Sequence, residues 1–231
     1  MRVLITGSAG VVGQNLVRRL KERFALRGFD NRPTAGLEDA PVGDIADFDA
    51  VLTATDSMDA VVHLAGFGGE REWERMLPTN YVGTYNVFEA CRQNGVKRVA
   101  FASRAGLLSS YPKDQKRTVD MLPLPRSTYD ISKVFGESFG YMYAHRYDME
   151  VVSVRIGNFK EDRDLPEHPH QLSHGDAARV FERAVTHPGV KYEVVFGVSD
   201  SNWPMYDLDH GRRAIGYEPQ DFSDVPPDQR E

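Results

Sequence analysis

A tyrosine and a lysine four residues apart, Tyr129 and Lys133, could together move a proton. On a helix this spacing places both side chains on one face. An ammonium close to a phenol favours the phenolate, so the spacing predicts a lowered pKa for Tyr129. Tyr129 could then act as general base on a substrate hydroxyl. Because the chain has 10 tyrosines, the spacing could also arise by chance and is a weak signal alone.

A glycine-rich turn near the amino terminus could hold a phosphate group. It reads G-S-A-G-V-V-G and spaces Gly7, Gly10 and Gly13 three residues apart. Glycines let the backbone approach a pyrophosphate, and the amino end of a following helix supplies free N–H groups and a positive dipole. An apolar run before the turn and a helical pattern after it favour dinucleotide binding over a turn without a ligand.

Asp30 closes the second predicted strand and bears on the choice of cofactor. A carboxylate at this place accepts hydrogen bonds from the ribose hydroxyls of NAD and repels the 2′-phosphate of NADP. Arg32 could instead accommodate that phosphate. We therefore predict NAD, with NADP as the alternative.

The histidines of the chain suggest a metal site only weakly. His168, His170 and His174 lie close together in sequence, but no cysteine or carboxylate spacing supports zinc. We predict no metal, and a substrate lid or a plain surface loop around these residues. His63 ends a buried strand and is predicted to be a packed core histidine.

Alternating strands and helices must position these groups. Strands are predicted at residues 2–6, 24–29, 60–64, 98–102, 150–156 and 192–196. Helices are predicted at residues 11–23, 48–55, 70–94, 127–147 and 176–186, with a possible break near Pro78. This alternation predicts an α/β fold with a doubly wound parallel sheet, in which ligands bind at the carboxyl ends of the strands.

Length and composition indicate one globular domain. The chain has 231 residues, 41% of them hydrophobic, and no apolar run of 18 residues. Its first residues do not resemble a secretion signal, which predicts a cytoplasmic protein. A single cysteine, Cys91, excludes an intramolecular disulfide, and a net charge of −6 argues against general nucleic-acid binding. We expect one domain over 1–220, substrate-binding elements in 157–175 and 197–220, and a loose polar tail over 221–231.

Six motifs, in this order, resemble the extended short-chain dehydrogenase/reductases, the NAD-dependent epimerase/dehydratase group. They are T-G-S-A-G-V-V-G at 6–13, G-D-I at 43–45, V-H-L-A-G at 62–66, N-Y-V-G-T at 80–84, F-A-S at 101–103 and Y-D-I-S-K at 129–133. V-R-I-G-N at 154–158, L-S-H-G-D at 172–176 and W-P-M-Y at 203–206 are similar to the uronate dehydrogenase branch. The resemblance implies a Rossmann fold and oxidation of a sugar at C1 with NAD.

The resemblance also implies roles for the matching residues. Tyr129 would be the base, Lys133 would tune it and hold the nicotinamide ribose, and Ser103 would be a further catalytic group. Helices after two neighbouring strands would form a two-fold interface, so a homodimer or higher homo-oligomer is implied. The cofactor would contact Gly7, Ala9, Gly10, Val11, Val12, Gly13, Asp30, Asn31, Arg32, Asp44, Ile45, Leu64, Ala65, Gly66, Asn80, Ala102, Tyr129, Lys133 and Ile156.

The substrate half departs from the family pattern. Arg104 stands where the family usually has a serine or threonine that hydrogen-bonds the reacting oxygen, and Gly106 stands where the uronate branch has a histidine. Arg104 could replace the serine as a charged, planar donor, or it could face solvent or pair with an acid. The substrate contacts predicted are Arg104, Gly68 in place of a serine, Asn158, and Arg163 as a loose candidate for a carboxylate clamp; Ser109 and Ser110 are alternative hydroxyl donors.

Three functions follow from these residues. The leading prediction is an NAD-dependent oxidoreductase that acts on a small-molecule sugar, at C1 of an aldose, a uronate or a related polyol, without a nucleic-acid or membrane partner. A sugar epimerase or dehydratase with tightly bound NAD remains open, although the chain is short for it. A non-catalytic NAD(H)-binding protein also remains open, because Arg104 supports it while Tyr129 and Lys133 oppose it.

Overall fold

A six-stranded parallel sheet with helices on both faces forms the centre of the molecule in a computed structural model, which describes residues 1–230. The strands are β1 (Arg2–Thr6), β2 (Ala25–Phe29), β3 (Ala60–His63), β4 (Arg98–Arg104), β5 (Glu150–Ile156) and β6 (Tyr192–Gly197). They lie in the order β2-β1-β3-β4-β5-β6. This order confirms the predicted doubly wound sheet, whose crossover between β1 and β3 opens a crevice at the carboxyl edge.

The helices connect these strands and cover the sheet. They are α1 (Val11–Leu20), α2 (Phe48–Thr55), α3 (Trp73–Met76), α4 (Gly83–Gln93), α5 (Thr128–Tyr147), α6 (His174–Thr186) and α7 (Asp209–Ile215). The long helix predicted over 70–94, with a break considered near Pro78, is interrupted there by a π-helical segment at Leu77–Val82. Pro78 lies in its first turn and has no N–H to donate, which accounts for the break near that residue. In residues 1–230, every helix is too short or too polar to cross a bilayer.

Two apolar layers hold the helices against the sheet. Neighbouring residues of one strand point to opposite faces, so both faces of a central strand need apolar side chains. Ile5 and Val62 belong to the layer that packs with Leu16 of α1 and Phe181 of α6. Leu4 and Val61 belong to the other layer, with helix α4. This explains the continuous apolar runs of the strands.

The carboxyl-terminal segment differs from the loose tail that we predicted. Strand β8 (Phe222–Ser223) pairs with β7 (Asp200–Ser201), and Ser223 and Val225 are buried. The Asp221 carboxylate accepts a hydrogen bond from Ser173 Oγ at 2.6 Å. Backbone pairing and polar contacts hold this segment, and neither leaves an apolar periodicity in the sequence.

Candidate active site

The turn between β1 and α1 presents backbone without side chains to the crevice. Gly7 has a φ of +72°, and a Cβ there would lie 2.7 Å from Ala65 N. A Cβ on Gly13 would lie 2.2 Å from the Gly7 carbonyl oxygen. Gly10 caps α1 without a side-chain hydrogen bond, so the first N–H groups of the helix are available to an anion.

A cavity of about 420 Å³ opens above this turn. Ten of the predicted cofactor residues line it: Gly7, Gly10, Asp30, Asn31, Arg32, Asp44, Ile45, Leu64, Ala65 and Gly66. Phe29, Gly43, Phe67 and Thr79 also line it and were not predicted individually. Phe67 and Thr79 lie at the ends of the connection between β3 and α4, and Thr79 directly precedes the N-Y-V-G-T motif.

The other predicted cofactor residues do not line this cavity. Val11 is exposed on α1, Val12 packs against the core, and Ile156 ends β5. Ala102 contributes a carbonyl oxygen rather than its side chain. Asn80 is buried, and its amide group exchanges hydrogen bonds with the backbone of Phe67, with Oδ1 2.9 Å from Phe67 N. Asn80 therefore shapes the loop after β3.

The Asp30 carboxylate is fixed at the rim of the cavity. It accepts hydrogen bonds from Ala9 N at 3.0 Å and from Arg32 N at 3.1 Å. The Arg32 side chain is 67% exposed and lies 3.8 Å from Asp30. A carboxylate held by two backbone N–H groups, beside an exposed arginine that already donates to the Ala9 carbonyl oxygen at 3.2 Å, favours recognition of ribose hydroxyls over a phosphate.

Tyr129 and Lys133 lie in the first two turns of α5, on the side that faces β4. Ser127 caps this helix by accepting a hydrogen bond from Asp130 N. Lys133 Nζ donates to the Ala102 carbonyl oxygen at 2.9 Å and lies 5.6 Å from the centre of the Tyr129 ring. The structure thus brings the ammonium and the phenol of the predicted pair together.

Burial has the largest effect on the pKa of both members of this pair. Burial lowers the pKa of Lys133 to about 8, and the Arg104 cation acts in the same direction. Burial raises the pKa of Tyr129, while Arg104 opposes that rise and Asp130 adds to it. The lowered tyrosine pKa that the spacing predicted is therefore wrong, because the cost of burying a phenolate exceeds the effect of the cation.

Ser103 does not lie with this pair as a free donor. It is buried, and its Oγ donates to the Glu137 carboxylate at 2.6 Å. Glu137 also pairs with Arg155, whose Nε lies 2.8 Å from it. The alternation of β4 directs Ser103 towards this buried network, so its hydroxyl is already used there. This placement counts against the predicted catalytic role of Ser103.

Arg104 ends β4 beside Tyr129. Its Nη1 lies 2.5 Å from Asp130 Oδ1, and its Cζ lies 5.2 Å from the centre of the Tyr129 ring. The strand was predicted to end at residue 102 and extends two residues further. Of the alternatives considered for Arg104, the structure shows pairing with an acid, at a point where the guanidinium also reaches the base.

The remaining predicted substrate residues are scattered. Asn158 pairs with the segment at Gln171 and donates its N–H to the His170 carbonyl oxygen at 2.7 Å, which folds the loop after β5 back on itself. Arg163 is half-exposed and pairs with Glu167 at the surface, away from the clamp role considered for it. Gly68 faces open space. Ser109 and Ser110 are exposed.

His63 and His174 make contacts within the fold. His63 is buried between the hydroxyls of Thr6 and Thr84, and burial lowers its pKa to about 3, which confirms a neutral core histidine. His174 contacts Asp164 at 2.6 Å. No group of three or more candidate metal ligands occurs within residues 1–230.

Glu70 was missed by the sequence analysis although it reaches the same helix start. Its carboxylate accepts hydrogen bonds from the Thr128 hydroxyl and from Tyr129 N, the latter at 3.1 Å. These bonds lower the pKa of Glu70. They connect the loop after β3 to the turn that carries Tyr129. A loop carboxylate has no periodicity or motif that would have identified it.

This chain is similar to known proteins both in sequence and in structure. A profile of the NAD dependent epimerase/dehydratase family matches residues 3–197. Uronate dehydrogenase of Pseudomonas putida is 36% identical over 230 residues, which cover 97% of this chain and 85% of that protein. An NAD-dependent glucose-6-phosphate dehydrogenase of Haloferax volcanii is 34% identical, over 96% of this chain and 94% of that protein. A crystal structure of a mutant uronate dehydrogenase from Agrobacterium tumefaciens, complexed with NAD, superposes with a TM-score of 0.89 at 31% identity, over 96% of this chain and 85% of that one.

Proposed function

We infer that this chain, which belongs to the NAD dependent epimerase/dehydratase family, is an NAD-dependent sugar dehydrogenase that oxidises the C1 hydroxyl of an aldose, a uronate or a related sugar. The observation that carries the inference is the pair of Tyr129 and Lys133 on helix α5, held against β4, the strand next to β3, whose following loop lines the glycine cavity. Both relatives named above are dehydrogenases, which favours net oxidation over epimerisation.

The residues around the cavity fit NAD. A Cβ on Gly7 or Gly13 would collide with the backbone of Ala65 or of Gly7, so only glycine permits the tight turn that presents the amino end of α1 to the cavity. Gly7, Gly10 and the amino end of α1 would hold the pyrophosphate, Asp30 the adenosine ribose, and Lys133 the nicotinamide ribose. Ile45, at the cavity wall with Asp44, would lie against the adenine. Bound NAD supplies the acceptor for a hydride.

The chain's own residues supply the proton chemistry. The Tyr129 oxygen takes the proton of the sugar hydroxyl as the C1 hydrogen leaves. The Lys133 ammonium stabilises the phenolate, and the Ala102 carbonyl oxygen holds that ammonium in place. Because burial raises the pKa of Tyr129, the base depends on the positive charges around it.

A substrate screen tests the proposed function. Aldoses, uronates and phosphosugars are each incubated with the protein and NAD, and NADH is followed by its absorbance. We expect net NADH formation with at least one of these sugars. Interconversion of sugars without net NADH would identify an epimerase instead. Absence of turnover with all of them, together with tight NAD binding, would favour the binding-protein alternative.

The cofactor preference is a separate prediction. We expect the protein to bind NAD at least about tenfold more tightly than NADP, because the fixed Asp30 carboxylate repels a 2′-phosphate; tenfold corresponds to about 1.4 kcal/mol. The dissociation constants are measured by titration of both cofactors. Asp30→Ser should bring the dissociation constants for NAD and NADP closer together, whereas Arg32→Ala should leave NAD binding nearly unchanged. Tighter binding of NADP by the unmodified protein would contradict this and make Arg32 a phosphate ligand.

We also propose a two-fold dimer through an aromatic face that α3, the π-helical segment, α4 and α5 form together. This face consists of Trp73, Tyr81, Tyr85, Phe135 and Phe139, whose rings contact one another with centres 4.4 to 6.2 Å apart. Trp73 and Tyr85 are 47% and 44% exposed. Exposed aromatic patches of this kind mark interaction surfaces, and closed two-fold dimers are the commonest oligomers.

Sedimentation tests this assembly. We expect a dimer at micromolar concentration, and we expect Tyr85→Glu to shift it towards monomer, because the new carboxylate would be desolvated in the interface. Leu122→Glu is the matched control, since Leu122 is 69% exposed and lies outside the aromatic face; it should leave the dimer intact. A monomeric unmodified protein would refute the proposed interface.

A further inference from the structure

Arg104 brings a second cation to the catalytic tyrosine. Its guanidinium carbon lies 5.2 Å from the centre of the Tyr129 ring. In the register of the sheet it is the partner of Ile156, the last residue of β5. The side chain is 35% exposed, so it borders the open space at the carboxyl edge of the sheet rather than the core. Arg104 therefore lies next to the space that a substrate of Tyr129 would have to occupy.

Asp130 holds this guanidinium in one orientation. Its Oδ1 lies 2.5 Å from Arg104 Nη1, and its Oδ2 accepts a hydrogen bond from Arg126 N at 2.9 Å. The backbone N–H of Asp130 donates to the capping hydroxyl of Ser127 at 3.0 Å. The Asp130 side chain is 7% exposed, so these contacts leave it little freedom. The first turn of α5 thus carries both the base and the anchor of the arginine.

Gly106 provides the space that the guanidinium occupies. A Cβ on Gly106 would lie 2.3 Å from Arg104 Nη2 and 2.6 Å from Arg104 Nε. Any larger side chain at this position would displace the guanidinium or be displaced by it. The two departures from the family pattern at positions 104 and 106 are therefore one structural change, in which a long side chain at one position uses the space left empty at the other.

The donors of Arg104 are mostly unused within the protein. A guanidinium carries five N–H groups in one plane and cannot be deprotonated in a protein. The described residues 1–230 provide a hydrogen-bond acceptor to Nη1 alone. The remaining N–H groups and the permanent charge are thus available beside Tyr129, where Arg104 already opposes the rise in the pKa of that tyrosine.

We propose that Arg104, anchored by Asp130 and accommodated by Gly106, is a catalytic residue that donates a hydrogen bond to the C1 oxygen of the sugar. This inference rests on the proposed function. In the oxidation the hydroxyl proton passes to the Tyr129 oxygen, and the C1 hydrogen leaves with its electron pair to the nicotinamide ring of NAD. The C1–O bond becomes a carbonyl. Negative charge grows on the C1 oxygen as its proton departs, and a fixed cationic donor stabilises that charge.

Kinetics of single and double variants test this role on the sugar identified by the screen. We expect Arg104→Ala to lower kcat by about 100- to 1000-fold, the usual effect of removing one such donor, with NAD affinity changed less than about twofold. The acid limb of the kcat/KM profile should move to higher pH, because a cation beside Tyr129 is lost. Arg104→Ser should recover part of the lost kcat, since it returns a hydroxyl donor to this position.

Gly106→Ala provides an independent test that leaves Arg104 in the sequence. We expect it to lower kcat in the unmodified background, because the new Cβ displaces the guanidinium. The double variant Arg104→Ala/Gly106→Ala should be no slower than Arg104→Ala alone, since nothing remains to be displaced. Thermal unfolding checks that each variant is folded. Additive losses in the double variant would show that Gly106→Ala acts through the fold and would overturn the proposal.

The outcomes separate this inference from the proposed function. If the unmodified protein oxidises none of the sugars, the proposed function fails and the role of Arg104 fails with it. If it oxidises a sugar and Arg104→Ala leaves kcat and the pH profile unchanged, only the role of Arg104 fails, and its pair with Asp130 is a structural contact alone.

Discussion

Tyr129→Phe should lower kcat by on the order of 10² to 10⁴, the usual contribution of a positioned proton transfer. The substitution removes the phenolic oxygen and keeps the ring, so the packing against Arg104 and Lys133 stays nearly the same. Steady-state rates of NADH formation with the sugar found in the screen measure the effect. We expect the dissociation constant for NAD to change little, because the phenol would not hold the cofactor.

Tyr141→Phe is the matched control for this substitution. Tyr141 lies on the same helix and is 57% exposed, and the same oxygen is removed without access to the substrate. It should keep the turnover of the unmodified protein. A well-folded enzyme with good turnover that Tyr129→Phe leaves intact would refute the mechanism, whatever the fold.

The cofactor-binding part of the site could be predicted from sequence because the residues that mark it are constrained by near neighbours in the chain. Gly7 has a left-handed φ of +72°, and a Cβ on Gly13 would lie 2.2 Å from the Gly7 carbonyl oxygen, so both requirements for glycine arise within one turn. Asp30 directly follows β2, which pairs with β1, so its position follows from the order of the first elements. Such constraints act over short stretches of chain, and each leaves its own mark in the residue types.

For the substrate-binding part of the site, the sequence indicated only which residues depart from the family pattern. Whether Arg104 faces solvent or Tyr129 depends on where β4 ends and on an aspartate from another element. The glutamate that engages Ser103 lies 34 residues away in sequence. Glu70 reaches α5 from a loop without periodicity. These contacts depend on tertiary packing between residues distant in the chain, and no spacing rule describes them.

The direction of a pKa shift also depends on the tertiary structure. The spacing of Tyr129 and Lys133 indicated the nearby cation correctly, but it contained no measure of how much water the fold would exclude. Burial then raised the pKa of the tyrosine and lowered that of the lysine. A motif therefore identifies the partners of a proton transfer, whereas the surrounding packing decides the protonation state from which they begin.

Lys133→Met should lower the activity of the protein but remove a cost to its stability that is present at low pH. Turnover should fall by on the order of 10² or more, and NAD should bind less tightly, because one ammonium both tunes Tyr129 and holds the nicotinamide ribose. In the folded protein burial lowers the pKa of Lys133 to about 8, from an ordinary value of 10.5. Below pH 8 the folded protein therefore carries the full cost of a buried charge, which the methionine removes.

This cost disappears as the pH rises from about 8 to 10.5, since the lysine becomes neutral in both the folded and the unfolded states. The free energy of unfolding of the variant minus that of the unmodified protein should therefore fall by about 3 kcal/mol over this interval, at about 1.4 kcal/mol per pKa unit. Denaturant titrations at several pH values measure the difference, and subtraction cancels the groups that both proteins share. Lys21→Met, at an exposed lysine, should give a difference that does not depend on pH. A flat difference for Lys133→Met as well would show that the ammonium is not buried at cost, and it would remove the electrostatic basis for its action on Tyr129.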